Sequence, residues 1–107
     1  KKKSQNCRIY TLGSSSSYMG VGKTIGYCLS KHALLGIVRS LNKELNNKNI
    51  WNILVSSGTV KNKMGKNIKG IKTSTLINST DISDPIFNLT KLKSSFTDEI
   101  WLKRLKP

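Results

Sequence analysis

Three stretches of the chain carry a regular pattern of apolar residues. Residues 7–12 (CRIYTL) are rich in β-branched and aromatic side chains and predict a short buried strand. Residues 24–46 repeat apolar side chains at helical spacing and predict a long helix with a broad apolar face. Residues 50–55 (IWNILV) form a near-continuous apolar run, which is typical of a strand covered on both faces in a parallel sheet. Strand, helix and strand in this order predict one crossover unit of an α/β fold.

Polar residues between these elements predict where each of them ends. Residues 14–22 are rich in serine and glycine and predict a loop, whose serines are suited to turns and helix caps. The long helix is expected to end at three asparagines that tolerate a left-handed backbone, Asn46, Asn47 and Asn49. Gly36 weakens this helix by about 1 kcal/mol relative to alanine, so a close backbone or helix contact is expected there.

The last third of the chain predicts a lid and a second helix. Residues 61–78 contain five lysines and are too long for a simple connector, which makes them a candidate lid over a substrate. Residues 81–93 predict a helix, and its first turn is expected to hold acidic residues and Pro85. Residues 1–6 form a polar, basic lead-in to the first strand.

The charge of the chain is strongly positive, with 19 Lys and Arg against 5 Asp and Glu and a formal net charge of +14. Such a balance raises nucleic acid or an anionic surface as a partner. The lysines are scattered and accompany ten asparagines, so a solvated basic surface is favoured and nucleic acid is not expected. The lysines of residues 61–78 indicate instead that the substrate is anionic.

The two cysteines, Cys7 and Cys28, lack metal-ligand spacing, and we predict no metal site. The sequence shows no secretory signal and no apolar run of membrane length. A reduced, cytoplasmic protein without a membrane segment is therefore the expectation.

Tyr27 and Lys31 are a candidate catalytic pair because of their spacing. Four residues apart on a helix, they lie on the same face, so that an ammonium stands beside a phenol. The positive charge favours the phenolate and makes Tyr27 a usable proton donor or acceptor. A serine hydroxyl on the far side of the loop, such as that of Ser14, could hydrogen-bond an oxygen on which charge develops. His32 points about 100° away from Lys31 and is expected to be structural.

These residues and their surroundings resemble the short-chain dehydrogenase/reductase family. The resemblance rests on RIYTLGSS, on a serine thirteen residues before a tyrosine, on YCLSKHALLGIVRSLNKEL, and on IWNILVSSGTV followed by Met64. It covers residues 8–100 and matches the C-terminal half of the family's fold. It implies a partial Rossmann-like, doubly wound parallel sheet, with residues 1–107 as a single C-terminal portion. The family's glycine-rich phosphate turn is not found, so the N-terminal dinucleotide-binding half is expected to be missing.

The same resemblance implies an oxidoreductase that moves a hydride between NAD or NADP and a carbonyl or alcohol. The implied catalytic residues are Ser14, Tyr27 and Lys31. The residues implied to bind the cofactor are Tyr27, Lys31, Ser57, Gly58, Val60 and Asn62. Serine at position 57 replaces the family's proline, and Asn62 stands where the family has a threonine. Residues 94–102 resemble the family's last loop and strand, although the closing Asp-Gly-Gly is absent.

Two further implications follow from the family and from its altered positions. The helix over residues 24–46 corresponds to one through which family members associate, so a homo-oligomer is expected. Two alternatives to the enzyme remain open, a catalytically inactive remnant and a basic module that binds nucleic acid or other anions.

Overall fold

The computed structural model of the protein describes residues 7–105. Its sheet contains three parallel strands in the order β1, β2, β3. The strands are Cys7–Leu12 (β1), Ile50–Ser57 (β2) and Glu99–Leu102 (β3). The predictions for residues 7–12 and 50–55 are confirmed, and the second strand continues for two further residues. The lead-in predicted for residues 1–6 lies outside the described residues.

Helices connect these strands. The α-helices are Ile25–Leu45 (α1), Lys63–Lys66 (α2) and Thr80–Leu89 (α3), and 3-10 turns cover Ser15–Ser17, Asn46–Lys48 and Thr73–Thr75. The helix predicted over residues 24–46 is confirmed to within one residue at either end. Asn49 has a φ of 61° and closes this helical region in the left-handed conformation that its sequence predicted.

Only one side of α1 packs against the sheet. Leu35 and Val38 pack on Leu54 of β2 and form the buried core there, because β2 is covered by α1 on this face. Leu29 and Ile37 lie on the outer side of the helix and are 70% and 55% exposed. The broad apolar face predicted for α1 is present, and only the part of it that lies over β2 is buried in the described structure.

Gly36 differs from its prediction. A Cβ placed on Gly36 meets no atom within 4 Å in the described part of the chain. The close contact expected at this glycine is therefore absent among residues 7–105. Its side of the helix belongs to the exposed surface.

The opposite face of the sheet carries α3. Arg8 of β1 pairs in register with Trp51, and its guanidinium donates to the carbonyl of Leu89 at 2.8 Å and also to that of Leu92. Since side chains alternate along a strand, Arg8 and Trp51 share the face opposite to Leu54, so the C-terminal end of α3 lies across the sheet from α1. Helices on both faces of a parallel sheet confirm the α/β, Rossmann-like class.

The predicted boundaries of α3 need correction. The helix over residues 81–93 is observed but ends at Leu89, and Pro85 is its sixth residue. Pro85 therefore lies in the interior of the helix and not in its first turn. The proline has no N–H, so the carbonyl four residues earlier loses its helical partner.

Residues 61–78, expected to be an irregular lid, are partly ordered by backbone pairing. Val60 and Ile77 form a parallel β-bridge, so both ends of the segment are held together. Between them lie α2 and the 3-10 turn Thr73–Thr75. Gly65 of α2 packs so tightly that an added Cβ would lie 2.0 Å from the carbonyl oxygen of Val60. The segment that was predicted to be a lid is anchored at its beginning and at its end.

Candidate active site

The serine turn, Ser15–Ser17, follows β1 directly and lies against β2. The N–H of Gly13 donates to the carbonyl of Val55 at 2.8 Å, which continues the pairing of the two strands. A Cβ on Gly13 would lie 2.6 Å from the buried Oγ of Ser56, so only glycine fits here without movement. The close approach brings Ser14 to the carboxyl end of the sheet.

Ser14 caps the serine turn. Its Oγ accepts a hydrogen bond from the N–H of Ser16 at 3.1 Å, and its own N–H donates to the Oγ of Ser17 at 3.3 Å. These reciprocal bonds form a capping box that fixes the turn internally. Because its Oγ accepts in this bond, the hydroxyl proton of Ser14 is available for an external acceptor.

Tyr27 and Lys31 lie on one face of the first turns of α1. The Nζ of Lys31 stands 5.6 Å from the centroid of the Tyr27 ring, within the range of a cation–π contact. Tyr27 is 47% exposed, so its phenol is open to a bound molecule. The predicted pairing of ammonium and phenol is present, and α1 packs against the serine turn that carries Ser14.

His32 lies on α1 beside this pair without joining it. Its Nδ1 is 2.8 Å from the carbonyl oxygen of Cys28, one turn earlier in the same helix. This local bond within one helix agrees with the structural role expected from the sequence.

The hydroxyl of Thr24 lowers the pKa of the Cys28 thiol through a hydrogen bond.

Ser57 ends β2, and Gly58 follows it, at the same edge of the sheet as Ser14. The register pairs Leu12 with Val55, so the two strands finish side by side. The N–H of Gly58 donates to the carbonyl of Leu102 at 2.9 Å, which ties this edge to β3. Ligands of open α/β sheets bind at such carboxyl ends.

The segment after Gly58 offers backbone and amide donors. Ile77 bonds to the carbonyl of Thr59 and to the N–H of Lys61 at 2.9 and 2.7 Å. Val60 lies between Thr59 and Lys61. In a parallel bridge the backbone groups of this middle residue point away from the partner strand, so the Val60 N–H faces away from Ile77. Asn62 caps α2, because its Oδ1 accepts from the N–H of Gly65 at 2.7 Å.

This capping bond uses one of the two lone pairs of the Asn62 oxygen. The side chain keeps its NH2 donors and one further acceptor position. This amide, the Val60 N–H, the exposed phenol of Tyr27 and the half-buried ammonium of Lys31 are polar groups that could hold a cofactor.

A cluster that the sequence did not predict joins β3 to the serine turn. We call it the Glu99 cluster, consisting of Tyr18, Arg39, Glu99 and Trp101. The carboxylate of Glu99 accepts from the Tyr18 hydroxyl at 3.0 Å and from two N–H groups of Arg39 at 2.6 and 3.0 Å. The Trp101 ring stacks on Tyr18 with centroids 4.8 Å apart, and its indole N–H donates to the Oγ of Ser15 at 2.9 Å.

The ionisation of this cluster follows from its contacts. The Arg39 guanidinium lowers the pKa of Glu99, so the carboxylate stays charged, and the same pair raises the pKa of Arg39. Burial, followed by the hydrogen bond to Glu99, raises the pKa of Tyr18, which therefore remains a donor. With five acids against 19 Lys and Arg, every acid is a candidate ion-pair partner, but the sequence does not distinguish Glu99 from the other four.

No helix in residues 7–105 is both long and apolar enough to cross a membrane.

Comparison with known proteins identifies the family. A family model described as enoyl-(acyl carrier protein) reductase matches residues 1–93. Secoisolariciresinol dehydrogenase of Forsythia intermedia is 41% identical over 64 residues, which are 60% of this chain and 23% of that protein. The chain therefore spans about a quarter of the curated relative.

Solved structures share the fold over nearly the whole chain. An alcohol dehydrogenase of Thermococcus sibiricus, complexed with 5-hydroxy-NADP, superposes with a TM-score of 0.79 at 20% identity and covers 94% of this chain and 43% of its own. A β-ketoacyl-[acyl carrier protein] reductase of Bacteroides thetaiotaomicron gives 0.73 at 26% identity, covering 92% and 40%. The family match over most of the sequence, together with this fold, places the chain in the short-chain dehydrogenase/reductase family of oxidoreductases, which use NAD or NADP.

Proposed function

We propose that the protein is an NAD(P)-dependent oxidoreductase that interconverts a carbonyl and an alcohol by hydride transfer. The observation that carries this proposal is the Lys31 ammonium beside the exposed Tyr27 phenol, in a chain of this family. Lys31, Tyr27, the backbone of residues 57–60 and the amide NH2 of Asn62 would hold the dinucleotide. When bound, the reduced nicotinamide supplies the hydride that reaches the carbonyl carbon.

The chain's own residues then handle the oxygen of the substrate. Tyr27 donates its phenolic proton to the carbonyl oxygen as the new carbon–hydrogen bond forms, and takes it back in the oxidation direction. Ser14 directs its free hydroxyl proton to the same oxygen and stabilises the developing charge. Lys31 favours the phenolate left on Tyr27 and binds ribose hydroxyls.

An anionic substrate is the second part of the proposal. The lid carries five exposed lysines, Lys61, Lys63, Lys66, Lys69 and Lys72. No acid occurs between Glu44 and Asp81 in the sequence to neutralise them. The proposal expects Lys63→Gln with Lys66→Gln to raise the KM of a carboxylated or phosphorylated carbonyl compound and leave that of a neutral one unchanged. Equal effects on both substrates would contradict it.

Tyr27→Phe tests the reaction itself, in the full-length gene product and with nicotinamide absorbance as the readout. Turnover is expected to fall by about 10²- to 10⁴-fold while dinucleotide binding persists, because only the transferable proton is lost. Tyr10→Phe is the matched control, since the buried Tyr10 hydroxyl has no hydrogen-bond partner among the described residues. If the wild-type protein turns over no carbonyl or alcohol, the result would contradict the proposed activity and favour the alternative of a catalytically inactive remnant.

Lys31→Met tests the second residue of the pair. Losing the ammonium is expected to weaken dinucleotide binding by about 1.5 to 3 kcal/mol. Lys43→Met, an exposed lysine on the same helix, is the control and should leave dinucleotide binding unchanged. Identical behaviour of the two variants would make Lys31 an ordinary surface residue. An affinity for anionic ligands that is the same in both variants but falls steeply with salt concentration would favour the alternative of a basic anion-binding module.

The oligomer and the cytoplasmic location remain predictions. The exposed apolar side of α1, with Leu29 and Ile37, supports association of two copies through this helix. The two cysteines, Cys7 and Cys28, are free thiols.

A further inference from the structure

We propose that Trp101 and Glu99 of β3 are positioning residues that hold the serine turn, and with it Ser14, in place against helix α1. The inference rests on the proposed function, because it concerns how two of its groups come to meet one oxygen. Neither residue touches the reacting atoms. They act through Ser15, Tyr18 and Arg39.

Both ends of the serine turn are held by β3. At the start, the indole N–H of Trp101 donates to Ser15, the residue directly after Ser14, at 2.9 Å. At the end, Tyr18 is the C-cap of the turn and stacks on the same indole ring at an interplanar angle of 20°. One side chain therefore fixes the first residue of the turn and the residue that closes it.

Glu99 extends this attachment to α1. Its carboxylate accepts from the Tyr18 hydroxyl and, through both oxygens, from Arg39 on the helix. Arg39 lies eight residues after Lys31 on the same helix, about 12 Å along its axis. A rigid helix transmits this attachment to the turns that carry Tyr27 and Lys31.

The need for such an attachment follows from the placement of the proposed catalytic groups. Ser14 stands on a turn and Tyr27 on a helix, and both have to reach one carbonyl oxygen. The capping box fixes the inner shape of the turn, but its bonds stay within residues 14–17. A displacement of about 1 Å between reacting groups lowers rates by about 10²-fold. The Glu99 cluster supplies bonds that span the turn, the helix and the sheet.

Trp101→Phe is the decisive variant, because it keeps a ring against Tyr18 and removes only the N–H donor. In the full-length gene product, kcat is expected to fall by about two- to tenfold, the range of one neutral hydrogen bond, with the KM for dinucleotide unchanged. Amide hydrogen exchange at residues 15–18 should accelerate by a similar factor. Trp51→Phe is the control, since Trp51 packs on Phe96 and faces the other side of the sheet.

Ser15 provides the rescue experiment. Ser15→Ala removes the acceptor and should reproduce the effects of Trp101→Phe, whereas Ser15→Thr keeps a hydroxyl and should restore both kcat and exchange. Equal responses to Trp101→Phe and Trp51→Phe, or failure of Ser15→Thr to restore what Ser15→Ala loses, would overturn the proposal. Hydrogen exchange needs no turnover, so an inactive wild-type protein would refute the function while exchange still decides the positioning role.

Discussion

The side chain of Asn42 on α1 pairs with the backbone of Asn52 of β2 at a point that β3 does not reach. Its amide NH2 donates to the Asn52 carbonyl at 2.7 Å, and its Oδ1 accepts from the Asn52 N–H at 2.9 Å. The first bond from β2 to the β3 side forms two residues later, where Leu54 donates to Asp98. Backbone groups point to the same edge at every second residue, so Asn52 would otherwise be unpaired inside the protein.

Asn42→Leu is expected to destabilise the protein by about 2–4 kcal/mol, because it leaves both the N–H and the carbonyl of Asn52 buried without partners. Chemical denaturation with a two-state fit measures the change. Asn47→Leu, at an exposed position just beyond the same helix, should change the free energy of unfolding by less than about 0.5 kcal/mol. Comparable losses of unfolding free energy in the two variants would show that the hydrogen bonds between Asn42 and Asn52 do not stabilise the protein.

Gly65→Ala is expected to displace α2 and loosen the lid. The added Cβ would lie 2.0 Å from the Val60 carbonyl oxygen and 3.1 Å from Thr59, so backbone has to move at a cost of about 1–3 kcal/mol. Trypsin cleavage at the lid lysines should then become about tenfold faster. Gly20→Ala serves as the control, since a Cβ there meets nothing within 4 Å. An unchanged cleavage rate for Gly65→Ala would mean that the lid does not depend on this packing.

Glu99 is expected to make stability depend on pH. Its folded pKa lies below the usual 4.5 because of Arg39, so its contribution is complete above the unfolded value and disappears as the pH falls through the folded value. The difference in unfolding free energy between wild type and Glu99→Gln should therefore be largest at neutral pH and shrink below about pH 4.5. Glu44→Gln, at an exposed position on α1, is the comparison. A difference that stays constant with pH would count against the role of the Glu99 charge.

The uncovered side of α1 is expected to mediate association. Leu29→Gln combined with Ile37→Gln should convert an oligomer into a smaller species, because both side chains are more than half exposed and lie on one face, eight residues apart. Light scattering coupled to size-exclusion chromatography measures the mass. Phe87→Gln removes a similarly exposed apolar side chain, 62% exposed, from α3 and should leave the mass unchanged. A dissociation caused equally by Phe87→Gln would place the interface elsewhere.

Local patterns in the sequence determined the elements that carry the proposed site. The apolar runs predicted β1 and, to within one residue at either end, α1, since Gly13 follows the strand and Asn46 follows the helix. They also predicted β2, although this strand continues through Ser56 and Ser57. Helical spacing alone placed Tyr27 and Lys31 on one face, since four residues make about one turn.

Tertiary structure decided everything that depends on long-range neighbours. Leu29 and Leu35 have the same apolar character in sequence, yet only Leu35 lies over β2 and is buried. Asn62 became a helix cap because α2 starts beside it, and Gly65 is required because Val60 lies underneath. The Glu99 cluster joins residues up to 86 positions apart, and no periodicity or motif records such pairs. The pattern of the sequence determines the local conformation of the backbone. Packing between separate elements determines which side chains are buried, which hydrogen-bond partners they find and how their ionisation shifts.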